Sequence, residues 1–536
     1  MDAWLGIDAS TQSLSALLVD SAGEVLGEAS VRFGDDLPGY DAPDGFRENP
    51  ATGEVFADPR MWLDGLDLCL ERLKAAGADF PRVAGVSGAG QQHGTVYLGG
   101  RWFEAVAVSP DADRLAEAIG PALSRPVSPI WMDVSTGGEC AEIARALGGP
   151  LEVCRRSGSV PVERFSGPQI RRFHKTAPEA YRETARIHLV SSFLASVLAG
   201  RDAPIDHGDG AGMNLLDLDG LDWDPDLLAA TAPGLAAKLP APAPPETVVG
   251  TVVPYFQKRY GFRPDTPVVA FTGDNPSSLV GMGAAAAGTA VVSLGTSDTY
   301  FAAMDRPVTD PEGFGHVFGN PLGGFMSLVC FRNGSLAREK VRDRLGGDWS
   351  VFEPAGLAAT PPGNHGNGMV PFFGPEITPR IDAAGPVLFG SASFRERPAP
   401  PALARACLEG QFLNMRRQTR WIGGPPERIL LTGGASANDG IAQTIADVFG
   451  VPVERLKATG SVAVGATIRA ARATGADTRT MEETLCSPDP VSRKTPVEGA
   501  APAYRELEAA LAAEIDRLRA PRHTSARSTG SPAANA

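Results

Sequence analysis

Two carboxylates stand at the ends of apolar runs. Asp8 closes Trp4–Asp8, and Asp274 follows Val268–Thr272 after a single glycine, Gly273. Ligands of open α/β sheets collect in the crevice at the carboxyl ends of strands, so an acid there is placed for chemistry. Asp8 leads into the small-residue turn Ala9-Ser10-Thr11-Gln12. A second such turn, Leu294-Gly295-Thr296-Ser297-Asp298, separates the runs Ala290–Ser293 and Thr299–Ala303. Backbone N–H groups and hydroxyls gathered at tight turns can receive phosphate oxygens. A carboxylate beside them is a hard oxygen ligand for Mg²⁺, which keeps several of its waters. The second turn carries Leu294 where the first carries Asp8, so only the first offers a metal ligand. Each acid also has a plainer reading: Asp8 as the cap of its own turn, and Asp274 with Asn275 as a helix N-cap.

Two further segments are shaped for ligands. Leu430-Leu431-Thr432-Gly433-Gly434-Ala435-Ser436-Ala437-Asn438 runs from a buried strand through paired glycines toward a helical pattern at Ile441, Ile445 and Val448. Glycine lets backbone approach a ligand closely, and a helix N-terminus favours negative charge. Such turns bind nucleotides, and they also simply connect elements. Gly90-Gln91-Gln92-His93-Gly94 packs two amides and an imidazole between glycines, a set suited either to a polyhydroxyl ligand or to the loop's own backbone. His174, His188, His207, His316, His365 and His523 show no paired metal spacing and read as surface or capping residues.

The elements that position these groups are of both types. Trp4–Asp8, Leu14–Val19 and Val25–Val31 read as a β-meander, and Met61–Ala76 as an amphipathic helix with Leu63, Leu66, Leu70 and Leu73 on one face. Arg82–Val86 reads as a strand ending at Ser87-Gly88-Ala89-Gly90, Glu179–Ala199 as one helix closed by Gly200, and Ala402–Trp421 as a long helix. The stretch Gly6–Ser13 is echoed by Val292–Thr299, a strand, a small-residue turn and a returning strand in each. The echo predicts two similar domains, residues 1–262 and 263–518, with the boundary near Val249–Pro267. Residues 519–536 read as a disordered Ser/Ala/Gly/Pro-rich tail.

The chain has 536 residues and a net charge of −14, which excludes general binding to nucleic acid or to an anionic membrane. Six scattered cysteines form no C-x-x-C pair. The sequence shows neither an apolar stretch of membrane-spanning length nor a signal segment, and a cytoplasmic location is expected. Monomer and homodimer are equally open.

Taken together, the blocks resemble the FGGY carbohydrate kinases of the sugar kinase/actin/heat-shock ATPase superfamily. The resemblance spans about Trp4 to Ala470. It rests on the order of Asp8–Gln12, Ser87–Gly94, Ser128-Pro129-Ile130-Trp131-Met132-Asp133, Glu163-Arg164-Phe165-Ser166-Gly167, Pro204–Asp206 with Gly212–Leu216, Gly273–Pro276, Ser293–Asp298 and Thr432–Asn438. It implies an α/β fold of two ribonuclease-H-like domains around a catalytic cleft, with ATP and Mg²⁺ as cofactors. The branch it is most similar to implies ATP-dependent phosphorylation of the ketopentose D-xylulose to its 5-phosphate.

By matching motif positions, His93, Arg164, Asp274 and Asn275 would contact the sugar, with Asp133 as an additional contact. Gly434, Ala435 and Asn438 would line the adenosine pocket, with Trp349 beside adenine. Gly295, Thr296 and Ser297 would approach the phosphates with Ser10 and Thr11, and Asp8 would organise Mg²⁺. Asp274 would be the general base, held ionised by Arg164 if the two meet. Two departures stand out. Ser15 occupies a position that is basic in many relatives, and Trp131-Met132-Asp133-Val134-Ser135 lacks the arginine of the commoner Trp-x-Asp-x-Arg. The alternatives are a kinase for ribulose, another ketose or a polyol, and a non-catalytic sugar or nucleotide sensor. An actin-like polymerising ATPase would have no use for Gln92-His93 or Asp274-Asn275.

Overall fold

A computed structural model of the chain describes residues 2–456 and 460–519. The expected tail lies outside the described residues except for Arg519, which ends the helix Ala501–Arg519.

Two seven-stranded sheets organise the molecule. The first contains β1 (Ala3–Ala9), β2 (Ser13–Asp20), β3 (Val25–Arg32), β4 (Val83–Gly90), β5 (Val248–Thr251), β6 (Pro267–Val269) and β7 (Thr272–Gly273). Their order is β5-β6-β4-β1-β2-β3, with β7 also on β4. The second contains β8 (Thr289–Leu294), β9 (Asp298–Met304), β10 (His316–Gly319), β11 (Phe325–Phe331), β12 (Arg428–Thr432), β13 (Val453–Leu456) and β14 (Pro488–Lys494), in the order β10-β11-β9-β8-β12-β13-β14. In each sheet an antiparallel three-strand meander is extended by two parallel strands. These are β3-β2-β1 with β4 and β6 in the first, and β11-β9-β8 with β12 and β13 in the second. The short echo between Gly6–Ser13 and Val292–Thr299 therefore marks the same slot in two like sheets.

Sheet pairing carries the first unit beyond residue 262. β6 and β7 lie parallel to β4, so that unit runs on through Gly273. The helix Ser461–Ala473, far along the chain, returns to pack on β1 and on the helix Asp274–Gly281. Glycine makes that crossing possible: a Cβ on Gly281 would lie 1.9 Å from the Ser461 carbonyl oxygen, and one on Gly465 1.9 Å from that of Ser277.

The helix Pro59–Ala75 buries Leu63, Leu66, Leu70 and Leu73 against the first sheet, as its spacing predicts. The helix Pro400–Gln418 fills the same role in the second core. Glu179–Ala199 is not one helix. It divides into the helix Pro178–Glu183, the strand Thr184–Leu189 and the helix Val190–Ala199, which ends at Gly200 in the left-handed region. The strand pairs with Thr95–Gly99, and that non-local ladder overrides the local helical pattern. β4 also runs four residues past Val86, through Gly90. Its glycines accept close neighbours there: a Cβ on Gly88 would lie 2.2 Å from the Phe271 ring, and one on Gly90 2.6 Å from the Ser191 nitrogen.

Candidate active site

The two acids converge at the carboxyl ends of the first sheet. Asp8 sits near the end of β1, opposite Ser15 on β2 and Ala89 on β4. Its Oδ1 accepts the Ser10 hydroxyl at 2.9 Å. Burial, opposed by the Ser10 bond and reinforced by the charge of Asp274, pushes its pKa up to about 7. Two carboxylates facing one another in a desolvated pocket are a donor set that a hard divalent cation relieves. The oxygen-only chemistry of Asp8 therefore fits Mg²⁺. Among the described residues no group of three or more His, Cys, Asp or Glu could hold a metal ion by itself.

Asp274 is the first residue of its helix, and Gly273 is the N-cap. Its Oδ1 accepts the Asn275 N–H at 2.8 Å, the Asn275 amide at 3.1 Å and the Gln92 N–H at 3.4 Å. These bonds fix the carboxylate through Oδ1. Burial outweighs them and raises the pKa to about 6. Arg164 does not act on Asp274 as expected. Its Nη2 donates to His316 Nε2 at 3.2 Å and its guanidinium lies over the Phe165 ring, so burial prevails and the Asp274 pKa rises instead of falling.

Asn275 is fixed from two sides, since its amide also donates to Gln92 Oε1 at 2.9 Å. His93 occupies the left-handed region (φ 72°) at the tip of its loop. Its Nδ1 bonds to the Gly212 carbonyl at 2.8 Å, and its ring packs on Phe165 with centroids 4.4 Å apart. Burial and the nearby Arg164 charge push its pKa well below the usual range. A neutral ring donating from Nδ1 leaves Nε2 as an acceptor, an assignment made from the hydrogen-bond network. His93 Nε2 and Asp274 Oδ2 are then acceptor atoms, and Arg164 carries donor N–H groups. Gln91 Nε2 and Gln92 Nε2 are buried donors with no partner among the described residues, as expected of a site whose ligand supplies the acceptors.

Asp133 is brought to the same region but committed elsewhere. It accepts from the Val55 and Ser135 N–H groups, the Ser135 hydroxyl and the Gln169 amide, so it braces the loop that presents Trp131. Trp131 in turn donates its indole N–H to Thr11 Oγ1 at 2.8 Å. Thr11 also meets Gln91 Oε1 at 3.3 Å, which ties the first small-residue turn to the Gln91–His93 loop.

On the second sheet the two glycine turns meet. Gly433, at φ 87°, packs so closely on β8 that a Cβ would lie 2.5 Å from the Leu294 carbonyl oxygen. Gly434 has open space where its side chain would be, and Thr296 and Ser297 are exposed. Asn438 caps the helix Asp439–Phe449 by accepting the Ile441 N–H at 2.9 Å. Its amide donates to Glu353 Oε1 at 2.9 Å. Glu353 follows the turn Trp349–Phe352, so that bond ties this turn to the start of the helix Asp439–Phe449. Trp349 is 39% exposed, with Arg342 4.5 Å above its ring.

Two contributors, His316 and Arg469, escape sequence reading. His316 is buried and bonded to Arg164 and Ser159 Oγ; His188 is likewise fully buried, so the reading of both as surface or capping residues is corrected. His188 joins Ser192 and Asp202 in a hydrogen-bonded run like a hydrolase triad, but it is sealed in the core and serves packing. Arg469, on the returning helix, donates to the carbonyls of Gly88 at 3.1 Å and Ala270 at 2.5 Å, steadying the strands that lead to His93 and Asp274. Its only sequence signal is an arginine in an apolar helix.

The fold thus sets the two acids and a histidine loop on one sheet and two glycine turns on the other. Residues 122–281 match the FGGY family of carbohydrate kinases, N-terminal domain, and residues 290–474 match its C-terminal domain. The chain belongs to this family. It is 41% identical over 512 residues to a xylulose kinase of Rattus norvegicus, covering 94% of each chain. It is 40% identical to xylulose kinase 2 of Arabidopsis thaliana, over 87% of this chain and 86% of that one. Among solved structures, a xylulose kinase from Rhodospirillum rubrum shares the fold with a TM-score of 0.80 at 22% identity, covering 96% of this chain and 99% of that one.

Proposed function

We propose that this kinase transfers the γ-phosphoryl group of ATP to D-xylulose, giving D-xylulose 5-phosphate and ADP. The observation that carries the reading is that Asp274 accepts the Gln92 N–H beside His93, and that His93 lies within reach of the Arg164 charge, in a chain about 40% identical to xylulose kinases. Arg164 and the buried amides of Gln91 and Gln92 donate to sugar oxygens, while His93 and Asn275 orient the chain of hydroxyls. Asp274 Oδ2 accepts the proton of the attacking hydroxyl, and its raised pKa near 6 keeps it ionised yet basic at neutral pH. The adenosine lies against Gly434, Ala435, Asn438 and Trp349. The phosphates rest on Gly295, Thr296 and Ser297 and face Ser10 and Thr11. Asp8 holds Mg²⁺, which when bound neutralises phosphate charge.

Six unpaired cysteines suit a reducing compartment, and the cytoplasm is the proposed location. Among the described residues no helix is long and apolar enough to cross a membrane. A coupled ADP-release assay across D-xylulose, D-ribulose, other ketoses and polyols tests the substrate. The highest kcat/KM is expected for D-xylulose, and equal turnover of the others would reject it.

A further inference from the structure

The turn Gly295–Ser297 is a three-residue excursion between β8 and β9 whose Thr296 and Ser297 side chains are exposed. Such a loop is ordinarily mobile. Here both stems are anchored. The Ser335 N–H, at the start of the helix Ser335–Arg344, donates to the Gly295 carbonyl at 2.9 Å. On the other stem, Asp298 is gripped by both terminal nitrogens of Arg338, Nη1 to Oδ2 at 2.7 Å and Nη2 to Oδ1 at 2.8 Å. Arg338 is fully buried and also reaches Ser335 Oγ at 3.0 Å and Gln411 Oε1 at 3.2 Å. Gln411 in turn donates to the carbonyls of Asn333 and Gly334. Gly334 approaches so closely that a Cβ would lie 2.6 Å from the Asp298 nitrogen.

A buried ion pair is poor value as a stabiliser, since apolar residues of similar volume usually do as well or better. What a two-pronged guanidinium–carboxylate contact supplies is geometry. It stands immediately after the turn, on the strand whose position sets where the Thr296 and Ser297 groups point. We infer that the Asp298–Arg338 pair is a positioning clamp that shapes the Gly295–Ser297 turn to receive the phosphates of the nucleotide. The inference rests on the proposed reading of that turn as a phosphate site. Neither residue touches the nucleotide; they act through the turn.

The test is calorimetry of the full chain with three separate ligands: adenosine, the β,γ-imido analogue of ATP, and D-xylulose. Asp298→Asn keeps the size of the side chain and removes its charge. It is expected to weaken the triphosphate analogue about tenfold or more, the worth of a hydrogen bond to a charged group. Adenosine and sugar affinities should stay as in the wild type. Unchanged analogue binding, or equal weakening of all three ligands, overturns the clamp. If Asp298→Asn does not fold, Arg338→Lys, which keeps the charge and loses the fork, decides by the same two criteria. A wild-type chain that binds adenosine as tightly as the triphosphate analogue would instead remove the phosphate reading beneath the clamp.

Discussion

Asp274→Asn separates base catalysis from positioning. All three recorded hydrogen bonds to this side chain fall on Oδ1, from the Asn275 N–H, the Asn275 amide and the Gln92 N–H. An asparagine keeps an oxygen in that place, so the loop and the helix start should survive. What changes is the other atom: an amide nitrogen replaces Oδ2, and a donor cannot take a proton from the sugar hydroxyl. Loss of a positioned base lowers kcat by about 10²–10⁴, or roughly 3–5.5 kcal/mol of barrier. A mere sugar contact would show chiefly in KM, by about tenfold for one hydrogen bond.

The coupled ADP-release assay with saturating D-xylulose and ATP reads the difference, with circular dichroism to confirm folding. The wild type should also lose kcat/KM as pH falls through about 6, because the active form is the ionised one and burial has raised its pKa to that value. The residual activity of Asp274→Asn should lack that limb. A folded Asp274→Asn enzyme with kcat within about tenfold of the wild type would refute the base role.

Other outcomes follow from the packing. Gly433→Ala would place a Cβ 2.5 Å from the Leu294 carbonyl oxygen at φ 87°, so the two glycine turns must part. The ATP KM should rise about tenfold with sugar affinity preserved, and an ATP KM within about twofold of wild type contradicts the joint pocket. Glu409 is buried beside Tyr504 and Arg405, and burial raises its pKa from 4.5 to about 7. Its neutral form is the one the fold favours, so that contribution is complete below about 4.5 and lost as pH rises through about 7. Glu409→Gln should therefore be the more stable protein at pH 8 in urea unfolding, on the order of 3 kcal/mol at most. Equal midpoints at pH 8 would contradict this.

Much of the architecture was legible because it is local. The small-residue hairpins at Ser10 and Thr296, the glycine turn at Gly433 and the leucine face of residues 63–73 each announce themselves within a few residues. The strand Thr184–Leu189 does not, because its pairing partner lies at Thr95–Gly99 and only the assembled ladder distinguishes it from a helix. The same distance hides His316 from Arg164 and Arg469 from Ala270, since no spacing in the sequence links them. The expected effect of Arg164 on Asp274 failed for a related reason: a cation's partner is chosen by packing, and here the packing chose His316 and Phe165. The oxygens of Asp133 are occupied by Val55, Ser135 and Gln169, a fact of hydrogen-bond accounting that residue type alone does not carry.

The most direct measurement identifies the product. Phosphorus and proton magnetic resonance on a reaction of the purified chain with ATP, Mg²⁺ and D-xylulose reads which oxygen carries the new phosphate. The account predicts D-xylulose 5-phosphate formed in equal amount to ADP, and its loss with Asp274→Asn. ADP release without a phosphorylated sugar, or phosphate on a different oxygen, would contradict it.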